Sequence, residues 1–120
     1  MRKAAIALDG EYVSGHFGRV REFLLLSYKD GQEVGREVFP APEGAHTPGV
    51  FPNRVKEMGA DLVVAGGMGV KAKEFFRQLG VEVATVPLMK VEDAVKGLLS
   101  GTLQQVETDC GPDIGRSGSI

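Results

Sequence analysis

Two histidines are the side chains of this sequence best suited to binding a transition metal. They are His16 and His46, thirty residues apart, which is too far for a local motif such as HExxH. Neutral imidazole is the commonest side-chain ligand of transition metals, and Met68 or Cys110 could add a sulfur donor. The competing interpretation is two exposed loop histidines, a methionine that fills the core and a cysteine without a role. A shared metal site therefore requires a fold that brings separate loops together.

A glycine-rich turn, Gly66-Gly67-Met68-Gly69, is the second feature with possible chemistry. The sequence from Gly67 to Ala72 fits G-x-G-x-x-A between a predicted strand and a predicted helix, as in dinucleotide-binding folds. However, the next strand ends in TVP, without the acidic residue that binds the ribose. The turn could instead present the backbone N–H groups of a helix N-terminus to a small anion. It could also serve only close packing, and these interpretations remain open.

Hydrolytic chemistry has weaker support in the sequence. A two-metal nuclease needs several carboxylates close together. Asp9 ends the first predicted strand, but the fourth predicted strand ends in Gly66-Gly67 rather than in an acid. Ser14 lies close to His16 in sequence, yet neither a G-x-S-x-G elbow nor an orienting acid accompanies them. We therefore predict that the protein is not an enzyme.

The hydrophobic pattern predicts the element order β-β-β-α-β-α-β-α. The predicted strands cover Lys3–Leu8, Glu22–Tyr28, Glu33–Phe39, Asp61–Ala65 and Val81–Val86. Asp30-Gly31 predicts a tight hairpin between the second and third strands. The three helices are predicted to begin near residue 50 and to cover about 72–79 and 91–98, each followed by a glycine that ends it.

This order predicts a three-layer α/β domain around a five-stranded mixed sheet with strand order 3-2-1-4-5. The loops after strands 1, 3, 4 and 5 then open on one edge of the sheet, where open α/β sheets bind ligands. These loops carry Ser14, His16, Arg19, His46, Gly66, Gly67, Met68, Gly69, Met89 and Lys90. The topology thus predicts that both histidines meet the glycine-rich turn.

Composition limits the remaining classes of function. The 120 residues correspond to one domain, and the net charge of −2 argues against general binding to nucleic acid or an anionic membrane. No apolar run approaches the roughly 20 residues of a membrane-spanning helix, and the N-terminal run is too short for a signal peptide. A single cysteine fits a reducing cytoplasm. We assign residues 1–104 to the domain and expect residues 105–120 to form a flexible tail.

Three stretches resemble a known family, the dinitrogenase iron–molybdenum cofactor biosynthesis family. Ser14-Gly15-His16-Phe17-Gly18-Arg19, followed by Phe23, resembles its S-x-H-F-G-R…F signature. Residues 59–69, GADLVVAGGMG, resemble a second, glycine-rich segment of that family, and residues 91–103 resemble the C-terminal part of its domain. The resemblance covers about residues 3–104.

The resemblance implies a ribonuclease H-like fold and a small nitrogenase-accessory-like protein that binds an iron–molybdenum cofactor or an iron–sulfur cluster. By position, His16 is the best candidate ligand, and His46 matches a less strict histidine before the first helix. Ser14, Arg19 and the turn Gly66–Gly69 would complete the binding site. We therefore expect a non-catalytic carrier or sensor whose partners are the metallocluster and a cluster donor or acceptor protein. The alternative is a regulatory domain that binds a small anion or nucleotide through Gly66–Gly69.

Overall fold

The computed structural model describes residues 1–15, 20–40, 50–103 and 105. The described residues form the strands β1 (Arg2–Asp9), β2 (Tyr12–Val13), β3 (Glu22–Lys29), β4 (Gln32–Pro40), β5 (Leu62–Ala65) and β6 (Glu82–Thr85), and the helices α1 (Val50–Glu57), α2 (Val70–Leu79) and α3 (Val91–Ser100). The three predicted helices are thus present. Gly59, Gly80 and Gly101 follow them with φ of 84°, 79° and 75°, the left-handed conformation in which helices commonly end.

The strand order along the sheet is β4-β3-β1-β5-β6. β1 pairs antiparallel with β3 and parallel with β5, and β5 pairs parallel with β6. β3 and β4 are antiparallel, so β1, β4, β5 and β6 all end at one edge of the sheet, which we call the carboxyl edge. The predicted order of the five longer strands is confirmed, and the shared edge follows from it.

The predicted number of strands is wrong, because the part of the sheet that the structure describes has six strands. Tyr12–Val13 pairs antiparallel with the end of β1, with Leu8 opposite Val13 and Asp9 opposite Tyr12. Gly10 allows the tight reversal because it has a φ of 64°. The hydrophobic pattern predicts a loop here instead, since two residues are too few to establish an alternating hydrophobic pattern.

Helices cover both faces of the sheet and create two hydrophobic cores. Phe23 and Phe76 are fully buried in the core under α1 and α2, whereas Ile6 and Leu26 are buried in the core under α3. The central strands therefore bury both of their faces, which explains their continuous apolar runs. The result is the mixed, three-layer α/β architecture predicted from the element order.

The hairpin between β3 and β4 turns at Asp30-Gly31, as predicted. Asp30 has a φ of 52° and Gly31 a φ of 76°, as in the tight turns that match the twist of the strands they join. Within the described sheet, β4 stands at the end of the strand order and pairs with β3 alone, so it is an edge strand. No helix within the described ranges is long and apolar enough to cross a membrane.

Candidate functional site

Backbone hydrogen bonds join three loops at the carboxyl edge. The Ser14 N–H donates to the carbonyl of Ala7 at 2.8 Å, and the Gly66 N–H donates to the carbonyl of Ser14 at 2.7 Å. On the other side, the Val13 N–H donates to the carbonyl of Met89 at 3.0 Å. The β2 hairpin is therefore held between the turn that follows β5 and the loop that follows β6.

Gly66 packs directly against the backbone of the chain that follows β2. A Cβ atom at Gly66 would lie 2.9 Å from Cα of Gly15 and 3.0 Å from the carbonyl oxygen of Ser14. Neither is the flexible end of a side chain, so a larger residue would displace the backbone. By contrast, a Cβ atom at Gly69 would meet no heavy atom within 4 Å. Close packing thus accounts for one glycine of this turn and not for the other.

Met68 lies inside the protein, whereas Gly66 and Gly69 of the same turn are partly exposed. Its side chain is fully buried in the core that contains Phe23 and Phe76. This burial favours packing over metal ligation as the role of Met68. Gly67 is also buried, and Ser14 is 6% exposed, so the glycine-rich turn and the β2 hairpin pack closely together.

A pocket of about 370 Å³ opens beside the hairpin, and its lining includes charged residues. It is lined by Leu8, Asp9, Gly10, Ser14, Gly15, Arg21 and Glu22. Arg21 and Glu22 were missed in the sequence analysis. Glu22 lies opposite Leu8 in the pairing of β3 with β1, so the antiparallel register is the signal that could have placed both residues beside the end of β1.

The predicted ligands His16 and His46 lie outside the described residues, as do Arg19 and Cys110. The described ranges contain no histidine or cysteine, and no group of three or more potential metal-binding side chains occurs within them. The structure instead describes both residues that flank the segment 16–19. Gly15 lines the pocket, and Val20, on the other side, is 5% exposed and belongs to the core.

The N-terminus of α2 follows the glycine-rich turn directly, after the carboxyl end of β5. Gly69 is the N-cap residue, with a φ of −69° and no hydrogen bond from a side chain. The Lys73 N–H donates to the Gly69 carbonyl at 3.1 Å, which is the first intrahelical bond. The glycine-rich turn therefore leads directly into α2 at the carboxyl edge of the sheet.

Comparison with known proteins identifies the class to which this fold and edge belong. Residues 1–101 match the family model described as dinitrogenase iron-molybdenum cofactor. The match spans most of the chain, and the protein belongs to this family. The resemblance seen in the residues around His16 and in the glycine-rich turn is thereby confirmed.

Three similar proteins each share more than nine-tenths of their length with this chain. The protein MJ0580 of Methanocaldococcus jannaschii is 27% identical over 110 residues, which cover 89% of this chain and 93% of that protein. The crystal structure of PH0822 is 32% identical, with a TM-score of 0.79 over 86% of this chain and 93% of the other. The apo form of the orange protein from Desulfovibrio gigas has a TM-score of 0.70 at 22% identity, over 94% of this chain and 97% of the other, and it supports the fold alone.

Proposed function

We propose that the protein is a small non-catalytic carrier or sensor that binds an iron–molybdenum or iron–sulfur cluster during metallocluster biosynthesis or trafficking. The cluster is its cargo, and the binding site is the carboxyl edge of the sheet. Family membership supports an association with the iron–molybdenum cofactor. The same membership gives no support to the alternative of a regulatory domain that binds a small anion or nucleotide.

The observation that carries this proposal is the contact between Gly66 and the backbone of Ser14 and Gly15. His16 is the next residue in the chain, so its backbone starts from a point fixed against the turn after β5. Gly15 also lines the pocket of about 370 Å³ at this edge. A ligand carried on such an anchored loop needs less ordering when the cluster binds.

In this proposal His16 is the main protein ligand of the cluster, because imidazole is a good donor to iron. His46 follows β4, which also ends at the carboxyl edge, and it is the second candidate ligand. Arg19 and Arg21 would add positive charge beside the site.

We further propose that the protein acts in the cytoplasm and that its partner is a protein that donates or accepts the cluster. We also propose that its fold is ribonuclease H-like.

Replacing His16 by alanine tests the proposal. The variant His16→Ala should bind an iron–sulfur cluster much more weakly, because loss of a metal ligand removes a coordinate bond that packing does not replace. Its free energy of unfolding should change by no more than about 0.5 kcal/mol, as for most surface substitutions. Anaerobic titration with iron and sulfide, followed by visible absorption, measures binding, and thermal melts measure stability.

His46→Ala is the matched control, and it should weaken binding less. Binding to the unaltered protein should also decrease below about pH 6, since protonated imidazole cannot bind a metal and an unperturbed histidine titrates near 6.5. If His16→Ala binds the cluster like the unaltered protein, the proposal loses its main residue. If the variant unfolds, His16 is a structural histidine.

A further inference from the structure

A groove of about 700 Å³ runs between α2 and the outer edge of β6, away from the candidate cluster site. It is lined by Lys73, Arg77, Gly80, Val81, Glu82, Val83, Thr85 and Gln105. Within the described part of the sheet, β6 is the end strand and pairs only with β5. The outer edge of such a strand presents backbone N–H and C=O groups that can pair with another extended chain.

The chain itself leads to this edge after α3. Gly101 reverses its direction with a φ of 75°, and Leu103 returns across the helix so closely that a Cβ atom at Gly97 would lie 2.8 Å from its Cα. Gln105 then borders both the groove and a smaller pocket on the α3 side, and Glu82 lines both of them. Fifteen residues, 106–120, follow the point at which the chain meets the start of β6.

The first of these residues have a charge pattern that matches the groove. In the sequence Val-Glu-Thr-Asp-Cys of residues 106–110, the carboxylates of Glu107 and Asp109 occupy alternate positions. An extended strand would carry them on one side, about 6.6 Å apart. Lys73 and Arg77 line the groove four residues apart on α2, and side chains at this spacing lie roughly 5–6 Å apart on a helix surface.

Arg77 also contacts Glu74 on the same helix. This contact does not exhaust its capacity, because a guanidinium group has five N–H donors. The pair Arg77–Glu74 is exposed, and exposed ion pairs of this kind hold their partners only weakly. A second carboxylate in the groove could therefore share the same guanidinium group.

We propose that residues 106–110 bind in this groove as an added strand parallel to β6. The segment starts beside Glu82 and runs toward Thr85, with Glu107 opposite Arg77 and Asp109 opposite Lys73. Its backbone pairs with the outer edge of β6 and protects that edge from pairing with other chains. The proposal concerns a different surface from the cluster site and is independent of cluster binding.

The single cysteine of the chain provides the test, because Cys110 lies at the end of the proposed strand. A nitroxide spin label on Cys110 broadens NMR signals of nearby amides. The amides of Val83–Thr85 and of Lys73 should lose most of their intensity relative to the reduced label, whereas amides of β4 at the opposite end of the sheet should not. Unchanged intensities at β6 would overturn the proposal.

Charge reversal provides the matched variants. Lys73→Glu combined with Arg77→Glu should abolish the broadening at β6, whereas Lys71→Glu, on the same helix but outside the groove lining, should preserve it. Replacing both Glu107 and Asp109 by lysine should also abolish the broadening at β6. Combining these two replacements with Lys73→Glu and Arg77→Glu should restore the broadening, because the charges are then complementary again. Thermal melts of each variant establish that the domain is folded. Broadening that survives both double reversals would contradict the charge pairing.

A mixed sample distinguishes binding within one chain from binding between two. Spin-labelled protein without isotope is mixed with isotope-labelled protein without a spin label. Intensities at β6 should then be unchanged, because the proposed contact is intramolecular. Broadening in the mixed sample would show that the segment pairs with a second copy, and this result would overturn the proposal as stated.

Discussion

Gly66 and Gly69 occupy one turn but have different surroundings. Gly66 is in contact with the backbone of Ser14 and Gly15, whereas at Gly69 the position of an added Cβ atom is open. The sequence could not distinguish them, since both read as turn glycines. The difference arises from a loop fifty residues earlier in the chain that the fold brings to the same edge.

The same substitution at both glycines should therefore have different effects. Gly66→Ser should lower the free energy of unfolding by about 1–3 kcal/mol, as overpacking against a rigid neighbour usually does. It should also weaken cluster binding although His16 is retained, because it displaces the residues that lead into His16. Gly69→Ser should leave stability unchanged within about 0.5 kcal/mol or raise it, since serine is favoured at a helix N-cap. Urea denaturation measures both variants, and equal losses would contradict the assignment of the close contact to Gly66.

The burial of Met68 could not be predicted from its place in the sequence. Its position beside glycines at the edge of the sheet allowed both ligation and packing. The structure buries it fully among Phe23 and Phe76, which no local pattern could indicate because one methionine between glycines has no periodicity. Asp30-Gly31 is the opposite case, since its turn conformation follows from the two residues alone.

At the scale of elements, Arg36 ties the edge strand β4 to the start of α3. Its guanidinium group donates to Glu33 on the same strand at 2.7 and 2.8 Å and to Glu92 on α3 at 2.8 Å. These hydrogen bonds raise the pKa of Arg36 above its usual value. The hydrogen bond from Arg36 likewise lowers the pKa of Glu33, because it stabilises the ionised carboxylate.

The ion pair between Arg36 and Glu33 should make the free energy of unfolding depend on pH. A carboxyl group with a lowered pKa in the folded protein stabilises the fold above its unfolded pKa, and this contribution disappears as the pH falls through the lowered value. Arg36→Gln should therefore lower the urea midpoint at pH 7 and have progressively less effect in acid. The effect should be small, because the groups are partly exposed.

Glu92→Gln is the control for the Arg36 prediction. It removes one arm of the tie and leaves the pair with Glu33, so the pH dependence should largely persist. Urea titrations at several pH values compare the three proteins. A difference between the unaltered protein and Arg36→Gln that stays constant from neutral to strongly acidic pH would contradict the role given to Glu33.

The element that the sequence did not predict, β2, is also the one that organises the carboxyl edge. Its two residues contact the end of β1 and, through Val13, the loop that holds Met89. A segment this short depends on tertiary contacts rather than on its own propensity. The longer strands could be predicted because burial on both faces gives them continuous apolar runs.

At the scale of the whole molecule, topology was predictable, whereas the lining of the site was predictable only in part: Ser14 was among the predicted residues, and Arg21 and Glu22 were not. A meander followed by two crossovers allows few arrangements, so the shared edge followed from the order of elements. Arg21 and Glu22 entered the pocket only through the register between β1 and β3, which depends on the geometry of the paired strands. Residues that bind a ligand between elements are therefore the hardest to find from sequence.

We expect that the protein does not hydrolyse nucleic acids. Asp9 and Glu22 line one pocket with Arg21, whereas two-metal hydrolysis requires several carboxylates around the ions. We expect no magnesium-dependent cleavage of RNA or DNA above background in gel assays. Purified Asp9→Asn is the control, since cleavage by the unaltered protein that this variant loses would establish a nuclease and contradict the prediction.

The position of β1 in the middle of the sheet has a consequence for synthesis on the ribosome. β1 is synthesised well before its partner β5, which lies more than fifty residues later in the chain. Until β5 is made, the edge of β1 at Ala4–Ile6 lacks its parallel partner, and the apolar faces around Ile6 and Phe23 lack α3 and α2, respectively. Pairings between distant parts of a chain form slowly, and uncovered strand edges favour aggregation. The middle strand of the finished sheet thus keeps part of one edge unpaired in the nascent chain until β5 has been made.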